Sequence, residues 1–282
     1  EFGRRVTFSL GTGAAGGAHI DALMELVSEG NASGSALYPQ TLPRAVGIML
    51  SFGLTLNPFT HSPAYQALAA LPLKQRLNEL RRQKVRNAIL ADSDKLEPSM
   101  SLASYVQQFD MMFVLGNPPQ YEQPPELSIA ARAAKLHVKP AELAYDLLLE
   151  NNGENYLYLA LANYSGGNLD LAEALLRYPH TIPGLGDGGA HCATICDASY
   201  STFLLSHFSR DRTRGALLPL VESVRKLTSA PAAVVGLNDR GILAPGYKAD
   251  VNIIDFDNVH ICAPIIRHDL PGGGRRLVQE AT

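Results

Sequence analysis

The stretch Thr181-Ile182-Pro183-Gly184-Leu185-Gly186-Asp187-Gly188-Gly189-Ala190-His191 decides how this chain is read. Thr181-Ile182-Pro183 reads as a short apolar strand. It runs into glycines, which leave room for another group to approach the backbone. Asp187 thus stands just past the C-terminal end of a strand, a position where α/β barrels carry catalytic groups. His191 follows, with a side chain able to hydrogen-bond or titrate near neutral pH. The bland alternative is an aspartate that caps a turn or a helix start in a glycine-rich loop.

Working outward, the chain alternates strands and helices. Arg5-Val6-Thr7-Phe8-Ser9-Leu10 is a β-rich run, Ile20 to Val27 has helical apolar spacing closed by Gly30, and Ser35 to Gln40 reads as the next strand, stopped by Pro39 and Pro43. Strand, helix and strand in that order predict a parallel, right-handed βαβ unit. Pro63 to Asp92 reads as helical, with Leu68, Leu71, Leu77, Leu80 and Ile89 as its buried stripe and Arg76, Arg81, Arg82, Lys84 and Arg86 as its solvated face. Strands are expected over Met111–Leu115 and Tyr156–Leu161, and helices over Ser128–His137, Pro140–Glu150, Asp170–Tyr178, Thr202–Phe208 and Arg214–Leu227. Beyond Leu237 the texture changes, and Gly241 to Asp255 reads as a β-hairpin around the turn Pro245-Gly246. Two domains are expected, 1–237 and 238–282.

Bulk properties narrow the class. The 282 residues are 46% hydrophobic and 18% charged, which suits a globular protein with a sizeable core. The net charge of −3 argues against a nucleic-acid partner or a basic membrane-surface protein. No apolar run is long enough to span a bilayer. The three cysteines Cys192, Cys196 and Cys262 make no disulfide framework and fit a cytoplasmic setting. The spacing of Cys192 and Cys196 beside His191 invites a zinc reading, but no second ligand pair accompanies it, so small buried hydrophobes are the expectation.

Further motifs follow Asp187 in order: Asp197-Ala198-Ser199-Tyr200, Ser209-Arg210-Asp211-Arg212, Val224-Arg225-Lys226-Leu227-Thr228, Gly236-Leu237-Asn238-Asp239-Arg240-Gly241, Ala244-Pro245-Gly246-Tyr247-Lys248-Ala249-Asp250 and Asp269-Leu270-Pro271-Gly272-Gly273-Gly274-Arg275-Arg276. From Asn163 to Gln279 this series resembles the amidohydrolase superfamily in its D-aminoacylase-like branch, the N-acyl-D-amino-acid deacylases. The resemblance is weaker but traceable upstream to Arg4. It implies an α/β fold: the C-terminal part of a (β/α)8 TIM-like barrel plus part of a small β-sandwich domain. It also implies that this chain is a fragment, with the N-terminal half of the enzyme and a last strand of the small domain lying outside it.

The same resemblance assigns chemistry. Asp187 matches the family aspartate that serves as both metal ligand and general base, and zinc is the implied cofactor. Hydrolysis of a non-peptide amide needs an activated water, a proton acceptor and oxyanion stabilisation, which a zinc ion and Asp187 together would supply. His191 is a second candidate catalytic residue. It could orient Asp187, bind a substrate carboxylate or lie inert. Gln40 and Arg44, at the end of the second strand, are candidate substrate-binding residues. Arg44 would pair with a substrate carboxylate, or else be an ordinary surface arginine. Asn163 and Tyr164 match a family pair near the active-site mouth, without an assigned role.

The departures carry weight too. The family holds metal with a His-x-His pair on its first strand and with further histidines. This sequence contains no His-x-His, and the Arg5–Leu10 strand offers only Ser9. His19 and His61 lie in loop or helix-start contexts and are poor substitutes, so the chain alone is expected to be inactive. The rival readings are a cyclic-amide hydrolase of dihydroorotase or hydantoinase type, and a metal-free homologue with a binding or scaffolding role. The expected partner is a small-molecule amide, with the oligomeric state left open.

Overall fold

The computed structural model describes residues 4–11, 17–96, 105–184, 186 and 191–281. Among them three separate sheets form. Strands β1 (Arg5–Ser9) and β2 (Ala36–Thr41) run parallel, joined by the helix Ala18–Ala32. The expected βαβ unit is therefore present, with Gly30 inside the helix and Pro39 inside β2. Strands β3 (Val46–Leu50), β4 (Met112–Val114) and β5 (Leu157–Ala162) make an antiparallel sheet in the order β3-β5-β4. Strand β6 (Ile182–Pro183) returns to the first sheet and pairs in parallel with the end of β2, Gln40 facing Ile182 and Thr41 facing Pro183. Strands β7 (Ile265–Leu270) and β8 (Gly274–Val278) form a hairpin.

The central strand β5 explains the shape of the core. Its sequence Leu157-Tyr158-Leu159-Ala160 is apolar without alternation because both faces are covered. Leu157 and Leu159 face a layer of helices, with Leu77, Leu80, Ile89, Tyr145 and Leu148. Tyr158 and Ala160 face the opposite layer, with Phe203, Phe208, Leu218, Ile261 and Leu277 of β8. A third cluster, Leu10, Ile20, Met24 and Leu175, seats the first helix against the helix Asp170–Arg177.

Several helix boundaries follow local chemistry. Ser128 accepts a hydrogen bond from Ala131 N–H and caps the helix Ile129–Leu136, which ends where His137 turns left-handed. Pro140 opens the next helix, Pro140–Leu149, at its first turn.

Other expectations are corrected. The single helix over Pro63–Asp92 is three helices, Pro63–Gln66, Leu73–Leu80 and Gln83–Ser93, with Pro72 standing before the second. Proline lacks the N–H that a continuing helix would need. Arg76, expected on the solvated face, is turned inward and donates to the Phe52 carbonyl at 2.7 Å and the Ala69 carbonyl at 2.9 Å. The helix Thr202–Phe208 is a turn of α-helix, Tyr200–Phe203, running into a π-helical stretch, Leu204–Asp211. The helix expected from Arg214 starts only at Leu220, after Pro219. Gly241–Asp255 forms no hairpin. Its β-rich residues have no partner strand among the described residues, and Ile253 is 99% exposed. Strand propensity without a pairing partner does not make a strand. The hairpin lies downstream, at β7 and β8. The three sheets are those of a mixed α/β fold, and among the described residues they neither close into a barrel nor stack as a sandwich.

The tightest approach in the antiparallel sheet is at Gly47. A Cβ there would lie 2.3 Å from the Leu159 carbonyl oxygen and 2.6 Å from the Tyr158 ring. Replacing Gly47 by Ala forces the strands apart. We expect Gly47→Ala to cost about 1–3 kcal/mol, read as a lower midpoint in urea unfolding.

Candidate active site

The site begins where β6 leaves β2. Gly184 N–H donates to the Thr41 carbonyl at 2.9 Å. The Gln40 side chain lies directly against Gly184, where an added Cβ would come within 2.5 Å of Gln40 Oε1. Gly186 is likewise closed in, by the Tyr200 ring at 2.5 Å from such a Cβ. These two positions accept only glycine without displacement of a neighbour. Gln40 is thus brought to the start of the loop that carries Asp187. Asp187 itself lies outside the described residues.

The loop re-emerges at His191, which is exposed and has a left-handed backbone, φ +53°. Its carbonyl accepts from the N–H groups of Thr194 and Ile195 at 2.7 and 2.9 Å. Three anchors then hold the chain. Cys192 O accepts from Leu277 N–H of β8 at 2.6 Å, and Thr194 O from Met49 N–H of β3 at 2.7 Å. The third is Arg44, whose guanidinium pairs with Asp197 and donates to the Cys196 carbonyl at 2.7 Å and to Ser199 Oγ at 3.3 Å.

Arg44 therefore does not stand at an open rim. It is fully buried, and its guanidinium carbon sits 4.0 Å from the centre of the Tyr121 ring. Burial works against its charge, but Tyr121, Asp197 and Tyr158 outweigh that and raise its pKa. The same burial pushes the Cys196 thiol up to about 11, so it is protonated at neutral pH. All three cysteines are free. A polar chain extends this centre: Gln279 donates to Tyr121 Oη at 3.0 Å and to the Cys262 carbonyl at 2.8 Å, and accepts from Ser199. Beside it opens a cleft of about 590 Å³ lined by Cys192, Ile195, Asp197, Ser199, Arg276 and Gln279.

Sequence reading missed Asp197, Ser199 and Gln279 as members of this site. Asp197 and Arg44 are 153 residues apart, and no spacing rule links them. Their one visible signal was that Asp197-Ala198-Ser199 belongs to the motif series after Asp187.

A second charged centre forms around Glu122. Glu122 receives Arg212 through both oxygens at 2.9 and 3.0 Å, His207 Nε2 at 2.8 Å and Leu169 N–H at 2.8 Å. Arg212 also bonds Asp170 at 2.6 Å. Burial alone would raise the Glu122 carboxyl, but the bonds from His207, Arg212 and Leu169 bring it down to about 2. Asn163 is buried and donates to the Leu42 carbonyl at 3.3 Å. Tyr164 donates to the Gln123 carbonyl, and burial lifts its hydroxyl to about 12.

No three histidine, cysteine or acidic side chains among the described residues are placed to hold a metal ion. With no His-x-His in the sequence, the residues described do not fit a zinc ion. No described helix is long and apolar enough to cross a membrane.

The chain belongs to the amidohydrolase family, whose model (Amidohydro_3) matches residues 18–278. Among curated proteins it is 43% identical over 118 residues to a 5-methylthioadenosine/S-adenosylhomocysteine deaminase of Pelotomaculum thermopropionicum, a match covering 40% of this chain and 27% of that protein. A deaminase of the same name from Desulfitobacterium hafniense is 36% identical over 86 residues, covering 30% of this chain and 20% of its own length. Among solved structures, a D-aminoacylase studied for its binuclear metal center is 19% identical with a TM-score of 0.40, over 87% of this chain and 39% of that one. A D-aminoacylase mutant in complex with copper chloride gives 17% identity and the same TM-score of 0.40, again over 87% of this chain and 39% of that one. The matches thus span about a quarter of the length of these curated relatives.

Two outcomes test the buried centres. Arg44→Met breaks the buried ion pair with Asp197 and is expected to cost about 3–5 kcal/mol, measured by chemical unfolding. For Glu122 the folded value near 2 lies below the ordinary 4.5, so the unfolded chain binds more protons between them. Its contribution is therefore complete above about pH 4.5 and drains away as pH falls toward 2. Glu122→Gln should lower stability at neutral pH and flatten this acid limb in a pH series of unfolding midpoints.

Proposed function

We propose that this chain belongs to a hydrolase acting on carbon–nitrogen bonds other than peptide bonds, with Asp187 as its general base. The observation that carries the reading is the parallel pairing of β2 with β6. It sets Gln40 against Gly184 at the point where the Asp187 loop leaves its strand. Barrel enzymes place chemistry at this end of their strands, and membership of the amidohydrolase family supports both the class and a (β/α)8 origin for the sheet.

In the proposed reaction, a water attacks the carbon of the C–N bond and loses a proton to the Asp187 carboxylate. The same proton then passes to the departing nitrogen as the bond breaks. Gln40, packed against Gly184, is the proposed substrate contact beside the loop. His191 is exposed at the far end of the loop and is the candidate to orient substrate or Asp187. Arg44 serves here by holding residues 196–199. The family supports metal use, zinc being the proposed ion, but the described residues supply no donor set and no step is routed through it.

The finer substrate proposal is an N-acyl-D-amino acid, supported by the motif series from Asn163 to Gln279. Deamination is the second reading, favoured by the 43% identity to a deaminase over 118 residues. The two differ in what leaves, an amino acid or ammonia. The test offers zinc-supplied full protein N-acetyl-D-amino acids in one assay and 5-methylthioadenosine in another. Release of the amino acid, lowered at least ~10²-fold in Asp187→Asn, is the expected result. Ammonia from the nucleoside would establish deamination instead. Neither product, with no zinc retained on dialysis, would overturn the hydrolase reading in favour of a binding role.

A further inference from the structure

A larger cleft, about 980 Å³, opens between the loop 118–124, the helical stretch from Phe203 to Asp211 and the segment around Ile261. One wall is apolar and stiff, made by Phe203, Ile261 and the prolines Pro118, Pro119 and Pro124. Its polar lining includes Glu122, His207, Asp211, Thr213, Arg214 and His260.

The charges around it are unevenly matched. The Glu122 carboxylate is taken by Arg212 and His207, as described above. Asp211 is taken by Arg210, through two bonds of 2.6 and 2.8 Å. Arg214 has no carboxylate partner among the described residues. It is held through Nη1 alone, which donates to the Gly167 carbonyl at 2.9 Å, with the Glu122 carbonyl at 3.4 Å and Tyr164 Oη at 3.5 Å. Nε and Nη2 make no hydrogen bond to described residues, and neither is a buried unpaired atom. Those two nitrogens form the edge of a guanidinium that grips both oxygens of a carboxylate in parallel. Arg212 uses the same edge on Glu122. The 2.9 Å bond from Nη1 to the Gly167 carbonyl, with its two longer contacts, restrains the orientation of this edge, which reduces the ordering cost of binding.

We infer that this cleft binds a small amphipathic carboxylate. The carboxylate lies on the Nε–Nη2 edge of Arg214 with the Thr213 hydroxyl beside it, and the apolar body lies against Phe203 and the prolines. The apolar wall is why a carboxylate with a hydrophobic body is preferred over inorganic phosphate. This site does not depend on the hydrolase reading, since it uses neither Asp187 nor a metal.

The full chain is titrated by calorimetry with phenylacetate, and with phenylacetamide and inorganic phosphate as controls. Saturable binding of phenylacetate is expected, weakened at least about tenfold in Arg214→Gln and undetectable for phenylacetamide. In the unaltered chain, phenylacetate should also protect Arg214, but not the exposed Arg82, from phenylglyoxal, as read by peptide mass spectrometry. That second measurement decides the matter if Arg214→Gln fails to fold. The proposal is overturned by absence of saturable binding, by equal binding of phenylacetamide or phosphate, by unchanged affinity in folded Arg214→Gln, or by unprotected Arg214.

Discussion

The buried guanidinium of Arg44 is the constraint on which the rest of the site depends. A charge in the interior is tolerated only with a counter-charge and hydrogen bonds around it. Arg44 obtains both from a single segment, residues 196–199. That requirement brings the exit of the Asp187 loop back to the stretch that β2 runs into. The entry of the loop is tied there as well, by Gly184 to Thr41, and its middle by Thr194 to Met49. Residues 40–49 thus hold the loop at its entry, along its course and at its exit. Tyr121 covers the cation from one side, and Gln279 joins that tyrosine to Ser199.

The second charged centre does a similar job elsewhere. Glu122 gathers His207 and Arg212 from the helical stretch after the loop, and Leu169 N–H from the turn before the helix Asp170–Arg177. The antiparallel sheet beside both centres is packed on its two faces. The polar ties and the apolar layers therefore work on the same elements. The layers hold the strands together, and the ion pairs select which loops meet across them.

Local signals were legible where one residue decides the outcome. The βαβ unit follows from strand and helix periodicity, and the helix expected over Ser128–His137 forms at Ile129–Leu136. Gln40 was legible as the end of its strand, and that end meets β6 at Ile182 and packs against Gly184. What escaped was set by partners distant in sequence. Arg44, beside Pro43, looks like a surface residue until Asp197 is known to reach it. Arg76 looks solvated until the Phe52 and Ala69 carbonyls appear beside it. Gly241–Asp255 has the composition of a hairpin, but composition cannot supply the neighbouring strand.

The π-helical stretch Leu204–Asp211 has a genetic consequence. A π-helical turn is an α-helical turn carrying one residue too many, which swings everything after it by roughly 100° about the axis. His207 and Arg212 both reach Glu122 from this stretch and its exit. Their phase is set by chain length as much as by side-chain identity. Loss of a single codon here would restore ordinary helical winding and carry Arg212 away from Glu122. A change of chain length in this short stretch is therefore expected to disturb the Glu122 centre more than most substitutions within it.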